Sequence, residues 1–405
     1  MPTACSTKSM PRNKLPVALL SAFLLFPGIA ANAQNYSYNL RFTVSPKNFT
    51  DTVSVEVERG RVYLPVIIGG QTCRFLLDTG ASMGGVYADS PVSQGRSIGT
   101  IKSHDANGHT SFTDVICLPT MQIGQLTITG YKANVISRPE NEKNADGIIG
   151  FDLFRKTAAC KIDTRQGLLV LTSSKNHFSR EKGYEAPFRL VHHVPYATLS
   201  PFSHYTESAR FDTGDPHLYT ISKQSFDNAA SQQANMIERQ VEGRTKGSLR
   251  VSHFGAEATH EIVALRLDRL QWGKFSFSDV RTLTSQGASA VGAGVLSYGA
   301  VIVNPKKMRL VFQPYADDTV CSVNNHLPDI YYIPRQGHPT VGLVWEYSEV
   351  YRQGFRQGDV ILKIDDTPIQ SFRQFMAYGY IAGQTYTYTV RDANGLTKLV
   401  KLTRK

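Results

Sequence analysis

Apolar and polar residues alternate in short runs through the middle of the chain, and turn-forming residues separate the runs. Tyr63 to Ile68 and Cys73 to Leu77 are two such runs around Gly69-Gly70, a pattern typical of a β-hairpin. The stretch from Ile98 to Val115 predicts another hairpin with its tip at Asn107-Gly108. Together with the 32 glycines of the chain, this spacing predicts a mainly β protein with many turns.

The middle of the chain also repeats itself, which indicates two copies of one structural unit. The first copy spans residues 59–173 and the second spans residues 188–313. Three motifs recur in the same order: Phe75–Gly80 with Ala209–Gly214, Met121–Leu126 with Leu270–Phe275, and Ile148–Gly150 with Ala290–Gly292. A short helix is expected in the first copy, from Phe151 to Lys156.

The remaining segments complete the expected organisation. In chain order the prediction is a signal peptide 1–33, a β segment 34–58, a first lobe 59–173, a linker 174–187, a second lobe 188–313, a linker 314–337 and a small terminal domain 338–405. The linker 314–337 is predicted from its prolines and its lack of periodicity. A linker at this place predicts that a protein ending near Gln336 stays folded and active.

The N-terminus has the pattern of a secretory signal. Lys8, Arg12 and Lys14 precede an apolar run over residues 15–30, and Ala31-Asn32-Ala33 forms a small-x-small cleavage site. A membrane anchor is the alternative, but the apolar run is short for a membrane span. The pattern favours export, to the periplasm or the exterior of a bacterial cell.

Charge and cysteine content narrow the function classes. The net charge of +11 is spread without a dense Lys/Arg stripe, which favours a solvated basic surface over nucleic-acid binding. Four cysteines follow the signal segment, and no Cys-x-x-Cys pair occurs, which disfavours a metal knuckle. Disulfides and buried free thiols both remain open for Cys73, Cys117, Cys160 and Cys321.

Histidines offer no clear metal site. His192 and His193 are adjacent on an expected strand, so they should point to opposite faces. His104 and His253 occupy matching hairpin positions and are expected to be polar strand residues. We therefore predict neither a metal nor a cofactor.

The duplicated Asp-Thr-Gly triplet is the strongest candidate for chemistry. One such triplet is well explained as a turn, but two at the same place in a repeat indicate a shared role. Two carboxylates held close together share a proton, so that one acts as a general base and the other as a general acid. Asp78 and Asp212 are the candidate catalytic residues, with Thr79, Gly80, Thr213 and Gly214 expected to support them.

These motifs resemble those of the pepsin and retroviral-type aspartic peptidases over residues 59–313. The resemblance implies two pseudo-symmetric, retropepsin-like β-barrel lobes on one chain, acting as a monomeric endopeptidase on polypeptide substrates. It also implies that two hairpins cover the active site as flaps, with candidate tip residues Asn107, Gly108, Phe254 and Gly255. The alternative is a catalytically weak peptide-binding or scaffold protein that retains the fold.

The terminal domain resembles a PDZ domain. Gly354 to Ile364 fits the Gly-x-x-x-Gly-Asp-apolar pattern, and Ser371 is placed to cap a helix that runs through Tyr378. The resemblance implies that a peptide ligand is added as a strand. A structural cap without a ligand is the alternative.

The residues that follow the two triplets predict the pH range. Ala81 offers no side-chain hydrogen bond to an ionised carboxylate, and Asp215 adds a like charge. Both features are expected to raise the pKa values of the dyad. The sequence thus predicts an activity optimum at mildly acidic to near-neutral pH.

Overall fold

The computed structural model describes residues 37–105, 107–252 and 254–404. The segment 1–33, predicted as a signal peptide, and His253 lie outside these described residues. Strands far outnumber helices, and the prediction of a mainly β fold is confirmed. In the described part of the chain, no helix combines the length and the apolar composition that crossing a membrane requires.

The first half, residues 37–173, is built from short strands and the predicted short helix. Its strands are β1 (Thr43–Ser45), β2 (Thr50–Ser54), β3 (Glu56–Glu58), β4 (Arg61–Ile68), β5 (Gln71–Leu77), β6 (Gly85–Tyr87), β7 (Ser97–His104), β8 (Thr110–Cys117), β9 (Met121–Ile123), β10 (Leu126–Thr129), β11 (Lys132–Ile136), β12 (Gly147–Ile149), β13 (Ala159–Asp163) and β14 (Leu168–Thr172). The helix α1 spans Phe151–Lys156, and a 3-10 turn spans Pro91–Ser93.

The second half, residues 184–323, repeats this arrangement with longer strands. Its strands are β15 (Tyr184–Val191), β16 (Val194–Phe202), β17 (Tyr205–Asp212), β18 (Tyr219–Ser222), β19 (Val241–Gly247), β20 (Val251–Ser252), β21 (Gly255–Ala256), β22 (His260–Trp272), β23 (Phe275–Ser285), β24 (Ala290–Gly292), β25 (Gly299–Asn304), β26 (Arg309–Pro314) and β27 (Val320–Ser322). The helix α2 spans Lys223–Glu238, and a 3-10 turn spans Ala293–Ser297.

The C-terminal sheet occupies residues 330–404. It consists of β28 (Ile330–Arg335), β29 (His338–Val344), β30 (Val360–Ile364), β31 (Thr367–Pro368), β32 (Thr385–Arg391) and β33 (Thr397–Thr403), with helices α3 (Glu349–Arg352) and α4 (Phe372–Ala377). The Ser371 hydroxyl accepts a hydrogen bond from the Gln374 amide at 3.1 Å and caps α4, as the sequence predicts.

In both halves, a short strand pairs in the same way with the strand that leads into the Asp-Thr-Gly triplet. In the first half β12 pairs parallel with β5 and antiparallel with β6. In the second half β24 pairs parallel with β17 and antiparallel with β18. The glycines at the ends of β12 and β24 are needed for this close approach. A Cβ on Gly150 would lie 2.5 Å from Met83, and one on Gly292 would lie 2.3 Å from the Asp215 carbonyl oxygen.

One antiparallel sheet joins the two halves. Its strand order is β15-β26-β25-β13-β14-β2, so strands of the first half continue directly into strands of the second. Cys160 of β13 lies opposite Val303 of β25, and Ile162 lies opposite Val301. All four side chains are buried, and this shared sheet fixes the two halves relative to each other.

The C-terminal sheet packs on the second half through a separate apolar cluster. Ile262, Ala264 and Leu283 of the second half contact Leu343 and Trp345 of the C-terminal sheet. Next to this cluster the Ser248 amide donates a hydrogen bond of 3.0 Å to the Gly342 carbonyl oxygen. The C-terminal sheet is therefore docked on the second half by buried contacts.

The structure differs from the sequence predictions in three places. The segment 314–337 contains β27, which pairs with β23, and β28, which opens the C-terminal sheet, so it is not a loose linker. The segment 174–187 already contains the start of β15. The sequence pattern does not predict the long helix α2. The Ser222 hydroxyl caps the N-terminus of this helix, and Phe226 and Ala229 are buried on one of its faces.

The structure also decides the state of the cysteines. The four cysteines of the described residues are free thiols, two of them buried and two partly exposed. Of the two alternatives that the sequence leaves open, the structure therefore favours free thiols over disulfides.

Candidate active site

The two Asp-Thr-Gly triplets meet where β5 and β17 end. Each glycine packs against the carboxyl group of the other triplet: a Cβ on Gly80 would lie 2.4 Å from Asp212 Cγ, and one on Gly214 would lie 2.8 Å from Asp78 Cγ. The negative charge of Asp212 acts on the Asp78 carboxyl group. The fold thus brings together two aspartates that are far apart in sequence, and it does so at positions where only glycine fits beside them.

The two threonines lock the loops to each other. Thr79 Oγ1 donates to the Phe211 carbonyl oxygen at 2.7 Å and accepts from the Thr213 amide at 3.0 Å. Thr213 Oγ1 donates to the Leu77 carbonyl oxygen at 2.6 Å and accepts from the Thr79 amide at 3.0 Å. Both threonines are fully buried, so each hydroxyl satisfies two backbone groups that water does not reach.

Replacing Thr213 by valine should therefore cost substantial stability. The Thr79 amide and the Leu77 carbonyl oxygen would remain buried without a partner, at about 1–3 kcal/mol each. We expect the free energy of unfolding to fall by about 2–6 kcal/mol, measured by urea denaturation. Thr52→Val, at an exposed position of β2, is the matched control. A loss no larger than that of the control would contradict the role of the Thr213 hydroxyl.

The surroundings of Asp78 favour its protonated form near neutral pH. Burial and the negative charge of Asp212 raise the pKa of Asp78 from its ordinary value to about 7, although the Arg210 cation opposes this shift. The Gly80 and Ala81 amides donate hydrogen bonds to Asp78 Oδ1 at 2.9 and 3.1 Å. On the other side, Arg210 Nη2 lies 2.8 Å from Asp212 Oδ2.

Asp215 does not add an uncompensated charge beside the dyad, in contrast to the expectation from sequence. His217 Nδ1 lies 2.6 Å from Asp215 Oδ1, and Arg250 Nη2 lies 3.6 Å from Asp215 Oδ2. Burial acts to raise the pKa of Asp215, but the charges of His217 and Arg250 together with the His217 hydrogen bonds hold it well below its ordinary value. The raised pKa of Asp78 therefore comes from burial and from Asp212.

Two hairpins meet above the dyad. The hairpin β7–β8, which we call the first flap, has its tip at Asn107-Gly108, as predicted. The hairpin β20–β21, which we call the second flap, has Phe254 and Gly255 at its tip. Asn107 Nδ2 donates to the Gly255 carbonyl oxygen at 3.1 Å, and Ser252 Oγ donates to Asp105 Oδ2. The four predicted tip residues thus lie at the tips, and the two tips are in contact.

A cleft of about 830 Å³ lies between the flaps and the dyad. Both triplets, both flaps and the loop after β15 contribute to its walls. Next to Asp78 the wall is apolar and comprises Leu76, Ala81, Tyr87, Ile136 and Ile148. A cleft of this size and composition can hold several residues of a peptide in extended form.

Histidines line one edge of the cleft. His192 and His193, expected on a strand, form the turn between β15 and β16 with φ of 48° and 70°. His193 stacks on Tyr38 with ring centroids 4.0 Å apart. Within residues 37–105, 107–252 and 254–404, no group of three or more His, Cys, Asp or Glu side chains is placed to hold a metal ion.

Comparison with known proteins finds an aspartyl protease family model that matches part of the first half. Residues 64–153 match a family model described as aspartyl protease. The match includes Asp78 and Gly150 but stops before Asp212. No curated protein sequence matches the chain. Among solved structures, the crystal structure of Basic 7S globulin from soybean is similar, with a TM-score of 0.39, 11% identity, and coverage of 66% of this chain and 95% of that chain.

Sequence reasoning missed two basic residues in the aspartyl protease-like cleft. Arg61 Nε donates a hydrogen bond of 3.1 Å to the Gly214 carbonyl oxygen and so ties the first half to the second triplet. Arg210 contacts Asp212 directly. Alternation along β17 could have indicated Arg210, because side chains two residues apart on a strand lie on the same face.

Proposed function

We propose that the chain is an exported aspartic endopeptidase with two lobes, which hydrolyses peptide bonds through Asp78 and Asp212. The observation that supports this proposal most directly is the close approach of the two triplets at the floor of a peptide-sized cleft, where the glycine of each triplet packs on the carboxyl group of the other. The match of residues 64–153 to an aspartyl protease family supports the same class of reaction. Both aspartates belong to one chain, so a monomer supplies the complete dyad.

The proposed mechanism requires one ionised and one protonated aspartate. The ionised carboxylate takes a proton from a water molecule as the water oxygen attacks the scissile carbonyl carbon, and the protonated carboxyl group gives its proton to the carbonyl oxygen. The resulting diol collapses when the first carboxyl group gives its proton to the leaving nitrogen and the second takes one back from a hydroxyl. The products are a carboxylic acid and an amine, and the dyad returns to its starting state.

The C-terminal sheet is proposed to act as a PDZ-like module for substrate or partner peptides. β28 lies at the edge of its sheet, and Tyr332 of β28 contacts Phe375 of α4 with ring centroids 4.6 Å apart. An edge strand beside a helix is the arrangement in which a peptide adds as a further strand. Export to the periplasm or the cell exterior, proposed from the signal segment, would bring this module into contact with envelope or external polypeptides.

The proposed function can be tested with the purified protein covering residues 34–405. Denatured casein should be cleaved at mildly acidic to near-neutral pH, because Asp78 keeps the proton that it donates up to about pH 7. Pepstatin should inhibit the cleavage, whereas a metal chelator should have no effect. Cleavage that persists in an Asp78→Asn, Asp212→Asn double variant would contradict the proposal. Pepstatin binding without cleavage at any pH would favour the catalytically weak peptide-binding protein instead.

A further inference from the structure

The two halves differ at the position two residues before each aspartate. In the first half this residue is Leu76, which is almost fully buried in an apolar cluster. In the second half it is Arg210. β5 pairs in parallel with β12 and β17 with β24, and Leu76 lies opposite Ile148 just as Arg210 lies opposite Ala290, so Leu76 and Arg210 occupy matching positions. One half therefore places an apolar side chain beside its aspartate, and the other half places a cation there.

The backbone and the side chain of Arg210 are both held in place. The Arg210 amide donates a hydrogen bond of 2.7 Å to the Ser289 carbonyl oxygen, and Arg210 lies opposite Tyr196 in the register of β16 and β17. Its Nη2 atom lies 2.8 Å from Asp212 Oδ2, and the side chains of Arg210 and Asp212 are only 15% and 10% exposed. An ion pair with this little exposure is screened much less than a surface pair.

Few other charges compete for the Arg210 cation. The groups that face it are Asp212 and Asp215 from its own strand and the loop that follows, Tyr196 from β16, and Asp78 from the first triplet. β24, on the other side of β17, contributes Ala290, Val291 and Gly292, which carry no titratable side chain. The charge of Asp215 is already paired with His217 and Arg250.

We infer that Arg210 is a positioning residue that holds the negative charge of the dyad on Asp212 and leaves Asp78 as the proton carrier. The inference rests on the proposed peptidase function. It assigns the two roles of the mechanism: Asp212 takes the proton of the attacking water, and Asp78 gives its proton to the scissile carbonyl oxygen. Arg210 acts through Asp212, whose carboxylate it holds by an ion pair. The pKa of Asp78, raised to about 7, agrees with this assignment.

The same contact sets the acid limit of activity. A cation beside Asp212 stabilises the singly ionised dyad, so the first ionisation takes place at lower pH than it would in an apolar site. Without the cation, burial alone would oppose ionisation and the first ionisation would require higher pH. Removing the charge of Arg210 should therefore move the acid limb of the activity profile towards alkaline pH.

The first experiment compares pH profiles of kcat/KM on a short peptide for the wild type, Arg210→Met and Arg210→Lys. We expect the acid limb of Arg210→Met to move to higher pH by about one unit or more, and that of Arg210→Lys to stay close to the wild type. Arg266→Met, which removes an exposed cation that does not line the cleft, is the control and should leave the profile unchanged. An unmoved acid limb in Arg210→Met, or equal shifts in the Met and Lys variants, would overturn the inference.

The second experiment reads the charge directly and does not need activity or a folded Arg210→Met variant. Carboxyl carbons of 13C-labelled aspartate are assigned by the resonances lost in Asp78→Asn and in Asp212→Asn. At about pH 6 we expect the shift of a carboxylate at Asp212 and that of a protonated acid at Asp78. The reverse order, or one averaged shift for both, would overturn the inference. A wild type that shows the expected order but cleaves no peptide would refute the proposed function and leave the charge assignment standing.

Discussion

Asp78→Asn and Asp212→Asn should each reduce kcat/KM for peptide hydrolysis by about 10³-fold or more, because neither remaining aspartate can serve as both acid and base. The asparagine side chain has nearly the same shape as the one it replaces, so the Thr79 and Thr213 network should remain intact. The loss of kcat/KM is measured with a quenched fluorescent peptide at concentrations well below KM. Asp366→Asn, in an exposed turn of the C-terminal sheet, is the matched control.

The two variants should differ in stability although they agree in activity. The folded-state pKa of Asp78, about 7, lies above the ordinary value, so its protonated form stabilises the fold at low pH and this contribution is lost as pH rises through 7. Asp78→Asn should therefore gain stability relative to the wild type between about pH 4 and pH 7. Asp212→Asn should be destabilised, because it leaves the buried Arg210 without its anion. Thermal melts at pH 4.5 and pH 8 separate these two effects on stability. Near-wild-type peptide turnover in either variant would refute the role of the two aspartates as a catalytic dyad.

Shortening the protein to end at Gln336 should unfold part of the second half and abolish cleavage even of short peptides. The cut removes Leu343 and Trp345 and exposes Ile262, Ala264 and Leu283, which are buried under them. It also removes the support of β19, the strand that leads to the second flap. Gly247 of β19 packs so closely on the C-terminal sheet that a Cβ there would lie 2.8 Å from Leu343. This outcome is opposite to the one that a loose linker at 314–337 predicts.

A point substitution tests the same interface more gently. Trp345→Ala should lower the free energy of unfolding by about 3–5 kcal/mol, as is usual for a large buried aromatic side chain. Leu399→Ala, also on the C-terminal sheet but 69% exposed, is the control and should have little effect. Circular dichroism and peptide turnover are measured on the wild type, the two variants and the shortened protein. If the shortened protein melts cooperatively and keeps its kcat/KM, the C-terminal sheet is only tethered to the second half.

The parts of the fold that the sequence predicts well are those set by short-range pattern. Alternation of apolar and polar residues around Gly69-Gly70 predicts β4 and β5, and the sequence also predicts the bounds of α1. The repeated triplets place Asp78 and Asp212 in equivalent turns. Repetition adds long-range information, because two copies of one unit imply a common axis. For this reason the repeat alone is enough to predict that the two triplets meet.

The features that the sequence does not predict depend on contacts between distant segments. α2 follows β18 at the place where the first half has only a short 3-10 turn after β6, so the repeat gives no indication of a long helix. β28 contains a proline, and its strand character depends on pairing with β29. The expectation for Asp215 failed because Arg250, which compensates its charge, lies on the approach to the second flap and is brought near only by folding. Residue type alone cannot show whether a charge is paired.

The contact between the two flap tips has a consequence for substrate choice. Asn107 is bonded to Gly255 and Ser252 to Asp105, so the two tips form a roof that bridges the cleft, and we expect a polypeptide to enter after these bonds break. Opening then precedes binding, and the association rate depends on how often the roof is open. A chain segment must also be long and extended enough to pass under the roof before it closes. Flexible or unfolded regions meet this requirement and compact surfaces do not, so in the proposed peptidase we expect the roof to select substrates by their disorder, before any side-chain pocket distinguishes among them.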